Sequence, residues 1–188
     1  MKKILFITLF ILAFVERVFF DLGPNTELVT LAMILGAAYI GRKESFWLTL
    51  TIMAATDLIL GNTNIFIFTW TGFLIPALVS GTVFKAVNAE GTKKVGLGTV
   101  SGVGANLFFY FWTNFGVWLL GSMYPKTIAG LASSYINALP FLRMQFVSTI
   151  FFVPLGFSVM EVFFAFKKSP NFEKLIGRYK KLVVLGIR

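Results

Sequence analysis

The chain has 188 residues, of which 57% are apolar and 13% are charged, and its mean hydropathy is +0.82. A soluble domain has about one half apolar and about one quarter charged residues, so this composition predicts an all-α membrane protein with several spans. A β-barrel is excluded because barrel strands alternate polar and apolar residues, whereas these apolar runs are continuous. The chain has no His and no Cys, which removes imidazole bases, thiolate chemistry and the usual zinc ligands. We therefore expect a protein that is not an enzyme and that binds no metal or cofactor.

The first predicted helix covers the apolar run from Ile4 to Phe20, which follows Met1, Lys2 and Lys3. Such a charged start is also typical of a signal peptide. No small-x-small cleavage site follows it, and further apolar runs do. We therefore interpret the run as an uncleaved first helix.

Five more apolar runs bring the predicted number of spans to six. They are Leu28–Ile40, Ser45–Leu60, Ile65–Phe84, Val95–Leu120 and Leu142–Phe166. The first two are short, and a re-entrant hairpin would bury Arg42 and Lys43 at a cost of about 2.5–3.5 kcal/mol each. We therefore expect two true spans, extended through Asn25–Glu27 and Arg42–Glu44. The predicted domains are a transmembrane domain at residues 1–168 and a basic cytoplasmic tail at residues 169–188.

The distribution of cations orients these spans. Fourteen of the seventeen Lys and Arg residues fall on one side, which predicts that both termini are cytoplasmic. The net charge of +9 then reflects topology, and no basic groove indicates a nucleic-acid partner. The tail mixes apolar and cationic residues, so we expect it to lie on anionic lipid headgroups. Docking to a cytoplasmic partner is the alternative for the tail.

Polar side chains inside spans are costly, so their positions are informative. Four predicted helices bring such residues to a similar depth near the extracellular side. The set comprises Glu16, Arg17, Asp57, Asn106, Thr113, Asn114, Arg143 and Gln145. One interpretation is an outward-facing pocket for a small polar or zwitterionic solute. The other is that the charged members form interhelical ion pairs, or snorkel to the headgroups, and only fix packing.

The fifth predicted helix carries a face of small and polar residues at spacings of three and four. Its members are Gly98, Gly102, Ala105, Asn106, Phe109, Thr113 and Gly116. Because glycines four residues apart allow close helix approach, we expect this face to pack against another helix.

The longest external segment runs from Gly121 to Pro140 and predicts a short surface helix from about Thr127 to Leu139. This helix is too short and too polar to span a membrane. We expect the segment, with Tyr124, Lys126 and Thr127, to act as a lid over the pocket. A passive connection between the last two spans is the alternative.

Several segments carry a family resemblance between about Asn25 and Phe146. They are Pro24-Asn25, Leu35 to Gly41, Asp57 to Gly61, Thr113 to Leu119, Tyr124 to Leu131 and Ala138 to Phe141. Their order and spacing resemble an uncharacterised family of bacterial integral membrane proteins, a domain of unknown function. That family is similar in turn to the substrate-binding S components of energy-coupling-factor (ECF) vitamin transporters.

The resemblance implies a six-helix fold in a bacterial inner membrane, with a solute site near the outer face under external loops. It also implies an ATPase module and a scaffold subunit as partners. S components usually meet the scaffold through an Ala-x-x-x-Ala face on the first helix, and this first helix has a single Ala, Ala13.

The leading functional hypothesis is therefore a substrate-binding membrane subunit of a vitamin-like uptake transporter. The chain contains no Walker A motif, so ATP-driven transport would need a separate ATPase chain. A stand-alone permease is an alternative, but it needs a polar path through the inner half, where Glu161 is the main polar group. A membrane scaffold or assembly protein is the other alternative.

Overall fold

The structure is a computed structural model that describes residues 1–20, 22, 26, 28–61 and 63–170. These residues form six α-helices joined by short connections, which confirms the all-α class for the described part of the chain. The helices are α1 (Lys2–Phe19), α2 (Val29–Tyr39), α3 (Arg42–Leu60), α4 (Phe66–Val87), α5 (Gly91–Leu120) and α6 (Ile128–Lys167). Residues 171–188, which make up nearly all of the predicted basic tail, lie outside the described residues.

Three of the described helices, α4, α5 and α6, are long and apolar enough to cross a membrane. Helices α1 and α3 have 18 and 19 residues, but each carries four charged residues along its length. Six helices therefore match the sequence prediction, and three of them have the length and composition of a span. Membrane crossing by the other three stays a prediction.

Helix α2 is a buried core helix of 11 residues. Its length of about 16 Å is roughly half the thickness of a bilayer hydrocarbon core. It packs against each of the other helices, and every residue from Val29 to Ala37 is buried. The described helix begins after Leu28, and Asn25 and Glu27, through which this element was predicted to extend, lie outside the described residues. A helix that is apolar on all sides is stable where protein surrounds it.

The prediction of a separate surface helix from about Thr127 to Leu139 is wrong, because these residues form the first part of α6. The helix begins at Ile128 and continues through Pro140 to Lys167, a length of 40 residues. Thr127 caps it, because its side-chain oxygen accepts a hydrogen bond from the Gly130 amide at 3.1 Å. The first turns pack along α5, where the Tyr110 hydroxyl donates to the Tyr135 carbonyl at 2.6 Å. This packing keeps the segment helical despite the proline.

The predicted small face of α5 packs against two helices, with Gly98 and Gly102 against α6 and Gly116 against Phe68 of α4. A Cβ atom on Gly98 would lie 2.6 Å from the ring of Phe157, and one on Gly102 would lie 2.7 Å from Cγ2 of Thr149. Only glycine permits such an approach, so α5 and α6 form one closely packed antiparallel pair.

Nine of the described cations lie at one end of the bundle, which we call the basic end. They are Lys2, Lys3, Arg42, Lys43, Lys85, Lys93, Lys94, Lys167 and Lys168. Contacts at this end include the hydrogen bond from Lys2 Nζ to the Ile40 carbonyl at 2.7 Å. The opposite, distal end holds the C-termini of α1, α3 and α5 and the start of α6.

Candidate functional site

Asp57 connects three helices near the distal end. Arg17 of α1 donates from Nη2 to Asp57 Oδ1 at 3.2 Å, and Trp70 of α4 donates from Nε1 to Oδ2 at 2.6 Å. The Asp57 residue is only 8% exposed, and both carboxylate oxygens accept a hydrogen bond. For Arg17 and Asp57, this geometry matches the packing interpretation of the predicted polar cluster. Trp70 was not predicted as a member of this polar cluster. Its position one turn after the start of α4, at the same depth as Asp57, was the sequence feature that could have indicated it.

Glu16 lies next to Arg17 in the sequence but has a different structural role. Its Oε2 atom accepts the backbone N–H of Leu28 at 2.9 Å, and the residue is 7% exposed. Leu28 is the N-cap residue of α2, at the end of the helix where backbone donors lack partners within the helix. A carboxylate is favourable at a helix N-terminus, so Glu16 stabilises the start of the core helix from a neighbouring helix.

Asn106 joins α5 to α6 in the middle of their shared face. Its Nδ2 atom donates to the Gln145 carbonyl at 3.0 Å and to Thr149 Oγ1 at 2.7 Å. Asn106 is 2% exposed, so these two bonds satisfy a buried amide donor. This contact also fixes the register of α5 against α6.

Three of the predicted residues meet at one small cavity between α5 and α6. Thr113, Asn114 and Gln145 line a space of about 100 Å³ towards the distal end. Aromatic and apolar side chains complete its wall, namely Phe109, Tyr110, Ala138, Phe141 and Leu142. Thr113 and Asn114 each donate to a carbonyl one turn earlier in α5, at 2.7 and 2.8 Å.

The Gln145 side chain differs from its neighbours at this cavity. The residue is 5% exposed, and within the described part of the chain its side-chain amide makes no hydrogen bond. Buried side-chain amides in folded proteins normally have partners. Gln145 therefore borders the cavity with a side-chain amide that can bond to a molecule inside it.

Arg143 takes part in none of the contacts described above and does not line the cavity. Its side chain is exposed, and it forms no ion pair within 4 Å with any carboxylate among the residues that the structure describes. Seven of the eight predicted residues thus divide between the Asp57 contacts, the Glu16 cap, the Asn106 contact and the cavity of Gln145, and Arg143 belongs to none of them. They do not line one common pocket.

The predicted lid residues hold the turn between α5 and α6 together. Lys126 donates to the carbonyls of Trp118 and Gly121, the second at 2.6 Å, and Trp118 donates to the Pro125 carbonyl at 3.0 Å. Tyr124 accepts a hydrogen bond from Asn137 at 3.3 Å. These bonds tie the turn to both helices.

A second polar group lies at the basic end. The Tyr39 hydroxyl donates to Glu161 Oε1 at 2.7 Å, and Glu161 Oε2 accepts the Gly91 backbone N–H at 3.0 Å. Lys94 Nζ lies 3.9 Å from the centre of the Tyr39 ring. Sequence reasoning singled out Glu161 but not its partners, because they come from two other helices, α2 and α5.

Larger cavities lie away from the predicted site residues. One of about 360 Å³ lies between α4 and α5, and one of about 320 Å³ lies between α1 and α6. Within the described ranges, no group of three His, Cys, Asp or Glu side chains is arranged to hold a metal ion.

The fold thus defines an all-helical protein with three helices able to cross a membrane and a small polar cavity between the last two. The chain belongs to the family of unknown function DUF6580, whose family model matches residues 1–172. No curated protein and no solved structure matches the chain. Membership of a family of unknown function is confirmed, and similarity to ECF S components stays a prediction.

Proposed function

We propose that the protein is a substrate-binding integral membrane subunit of a small-molecule uptake transporter. The observation that carries this proposal is the Gln145 side chain, whose amide lines a cavity between α5 and α6 and has no hydrogen bond to the described part of the chain. A solute with a donor or acceptor inside the cavity can bond to this amide. Thr113 and Asn114 add polar atoms, and three aromatic rings add apolar wall.

The size of the cavity constrains the solute. Its volume of about 100 Å³ is below the roughly 300–1,000 Å³ of sites that take drug-sized ligands. A vitamin-like solute therefore requires the site to open, and we assign the structure to a closed state. In this state Gln145 faces a space that admits only a small part of such a molecule.

Pro140 gives the site a place at which to open. It lies in α6 between Ala138 and Phe141, which both line the cavity, and it lacks the backbone N–H that would bond to the Ile136 carbonyl. The helix is therefore weakened beside the cavity. We propose that Ile128–Leu139, hereafter the lid segment, moves away from α5 about this point.

The remaining parts of the proposal concern the membrane and the partners. The cations at the basic end support a cytoplasmic location of both termini, which makes the distal end extracellular. Since the chain has no Walker A motif, ATP-driven transport would need a separate ATPase module, which we include in the proposal with or without a scaffold subunit. A bacterial inner membrane is part of the same proposal.

A membrane scaffold or assembly protein is the second candidate function. The observation that favours it is the Asp57 group, in which both carboxylate oxygens have partners on other helices. A site built only of such satisfied contacts would lock helices together and bind nothing. The Gln145 amide is the feature that this candidate does not explain.

Native mass spectrometry of the gently extracted protein tests the proposal. We expect a discrete small-molecule adduct or co-purifying ATPase chains with the wild type. Gln145→Met keeps the side-chain length but removes the amide, and it should lose the adduct while the fold is retained. Ser158→Ala, at an exposed polar side chain on the same helix away from the cavity and the lid segment, is the control and should keep the adduct. A wild-type protein that carries only lipids, or equal adduct in both variants, contradicts the proposal.

A further inference from the structure

A lateral groove runs between α1 and α6 at the basic end. The backbones of these two helices do not approach each other in the described part of the chain, and a space of about 320 Å³ separates them. Its walls are apolar side chains of both helices, including Ile4, Leu5, Val159 and Phe163. Tyr39 of the core helix lies at its floor.

The groove is open to the surroundings of the bundle. Ile4 is 70% exposed, Val159 is 59% exposed and Phe163 is 49% exposed. From Lys2 to Thr8, the groove extends for about 9 Å along α1. Large apolar side chains that are this exposed form a surface that lipid hydrocarbon can contact. The length of the groove matches part of an extended acyl chain.

The mouth of the groove is cationic. Lys2 lines it, and Lys3, Lys167 and Lys168 lie beside it with exposed side chains. Lys167 Nζ approaches Met1 Sδ at 3.4 Å, which brings the end of α6 to the start of α1.

Carboxylates do not neutralise this mouth. Among the described residues, none of the four lysines forms an ion pair with a carboxylate within 4 Å. Glu161 is the nearest acid on α6, and both of its oxygens accept hydrogen bonds from Tyr39 and Gly91. Glu44 lines a neighbouring groove together with Lys2 and Lys3, so one carboxylate lies on the far side of α1. The local charge remains positive.

We infer that this groove binds one anionic phospholipid, with an acyl chain between α1 and α6 and the phosphate among the lysines. An apolar channel that opens into unpaired cations complements the two parts of such a molecule. The site lies at the opposite end of the bundle from the cavity of Gln145, so the inference is independent of the proposed solute. A bound lipid fills the seam between α1 and α6 and so holds α1 in the bundle.

Lipid retention in native mass spectrometry tests the inference. The protein is reconstituted with equimolar dioleoyl phosphatidylglycerol and dioleoyl phosphatidylcholine, which share acyl chains and differ in charge. We expect the wild type to retain one phosphatidylglycerol at least fivefold more often than phosphatidylcholine. Val159→Trp fills the groove and should reduce this retention about tenfold. Val162→Trp, on the same helix at a residue that is 69% exposed and outside the groove, should leave it unchanged.

A second variant separates charge from fold. Lys167→Gln combined with Lys168→Gln should remove the preference for phosphatidylglycerol while the helical content by circular dichroism stays that of the wild type. Inorganic phosphate at millimolar concentration should not displace the lipid, because the acyl chain contributes to binding. Equal retention of the two lipids by the wild type, equal effects of the two Trp variants, or displacement by phosphate alone would overturn the inference. Occupation of the groove by a co-purifying polypeptide would overturn it as well.

Discussion

Trp70 donates a 2.6 Å hydrogen bond to Asp57, and this bond joins two helices that follow each other in the chain. The other oxygen of the same carboxylate holds Arg17 of α1 at 3.2 Å. Asp57 thus fixes α1, α3 and α4 to one another near their distal ends. Because both of its oxygens have partners, the Asp57 carboxylate stabilises the folded protein. Removing those partners should therefore lower stability without a direct effect on solute binding.

Asp57→Asn should lower the free energy of unfolding by about 1–3 kcal/mol, because it replaces a charged acceptor of two hydrogen bonds by a neutral amide. Trp70→Phe removes one hydrogen bond and should cost about 1–3 kcal/mol. Thermal unfolding in detergent measures both effects. Trp47→Phe, at an indole that is 58% exposed, is the control and should change little. If Asp57→Asn left stability intact but abolished a solute adduct, Asp57 would belong to the binding site.

Gly98→Ala should destabilise the protein by about 1–3 kcal/mol, because the new Cβ would lie 2.6 Å from the Phe157 ring. Gly104→Ala is the matched change on the same helix, where a Cβ meets nothing within 4 Å. It should stabilise the helix by up to about 1 kcal/mol. Chemical or thermal unfolding of the two variants compares them directly. A loss of the same size in both would contradict the close packing of α5 on α6.

Pro140→Ala should stiffen α6 beside the cavity, because it restores a backbone N–H to the Ile136 carbonyl. Hydrogen exchange should then slow in the lid segment, and association of a solute should slow as well. Pro154→Ala removes a proline from the same helix away from the cavity, so it should leave exchange in the lid segment unchanged. Exchange mass spectrometry of peptides covering residues 128–139 provides the measurement. Unchanged exchange in Pro140→Ala would argue against an opening at this point.

Tyr39→Phe should cost about 1–3 kcal/mol of stability, because Glu161 loses the hydroxyl that bonds to its Oε1 atom at 2.7 Å. Tyr124→Phe is the comparison, since the Tyr124 hydroxyl accepts a 3.3 Å bond from the exposed Asn137. Its effect should be within about 0.5 kcal/mol. Thermal unfolding distinguishes the two, and equal effects would show that the Glu161 contact contributes nothing of its own.

The proposed orientation is testable because the chain has no Cys. Ser122→Cys places a thiol in the distal turn, and Lys43→Cys places one at the basic end. A membrane-impermeant maleimide applied to intact cells should label Ser122→Cys only, since the distal end is proposed to be extracellular. Both variants should react after the membrane is permeabilised. The reverse pattern on intact cells would place the termini outside.

The positions of the helices along the chain were predicted better than the neighbours against which each helix packs. Apolar runs place α1, α3, α4 and α5 within a few residues, because burial in a bundle or in lipid requires continuous apolar surface. The first part of α6 was predicted as a separate helix, since a proline such as Pro140 normally interrupts a helix. Packing on Tyr110, a contact between residues distant in the sequence, accompanies the continuation of the helix through Pro140. An apolar run also cannot distinguish a core helix such as α2 from a short span.

The sequence predicted how far along each helix the site residues lie, but not which neighbouring helix each side chain faces. Successive helical residues point about 100° apart, so Glu16 bonds to α2 while Arg17 bonds to α3. Spacing along one helix does not specify which neighbour each side chain meets. For the same reason, the sequence did not separate Arg143, which is exposed, from Gln145, which faces the cavity.

The burial of α2 by helices that follow it in the chain has a consequence for folding during synthesis. Helices α4, α5 and α6 cover part of its surface, and they are synthesised after it. Until those helices have been made, α2 has only α1 and α3 as partners from its own chain. Its final environment is complete only once the last helix has been added. Truncation before α6 should therefore leave a nascent chain whose core helix is exposed and open to proteolysis.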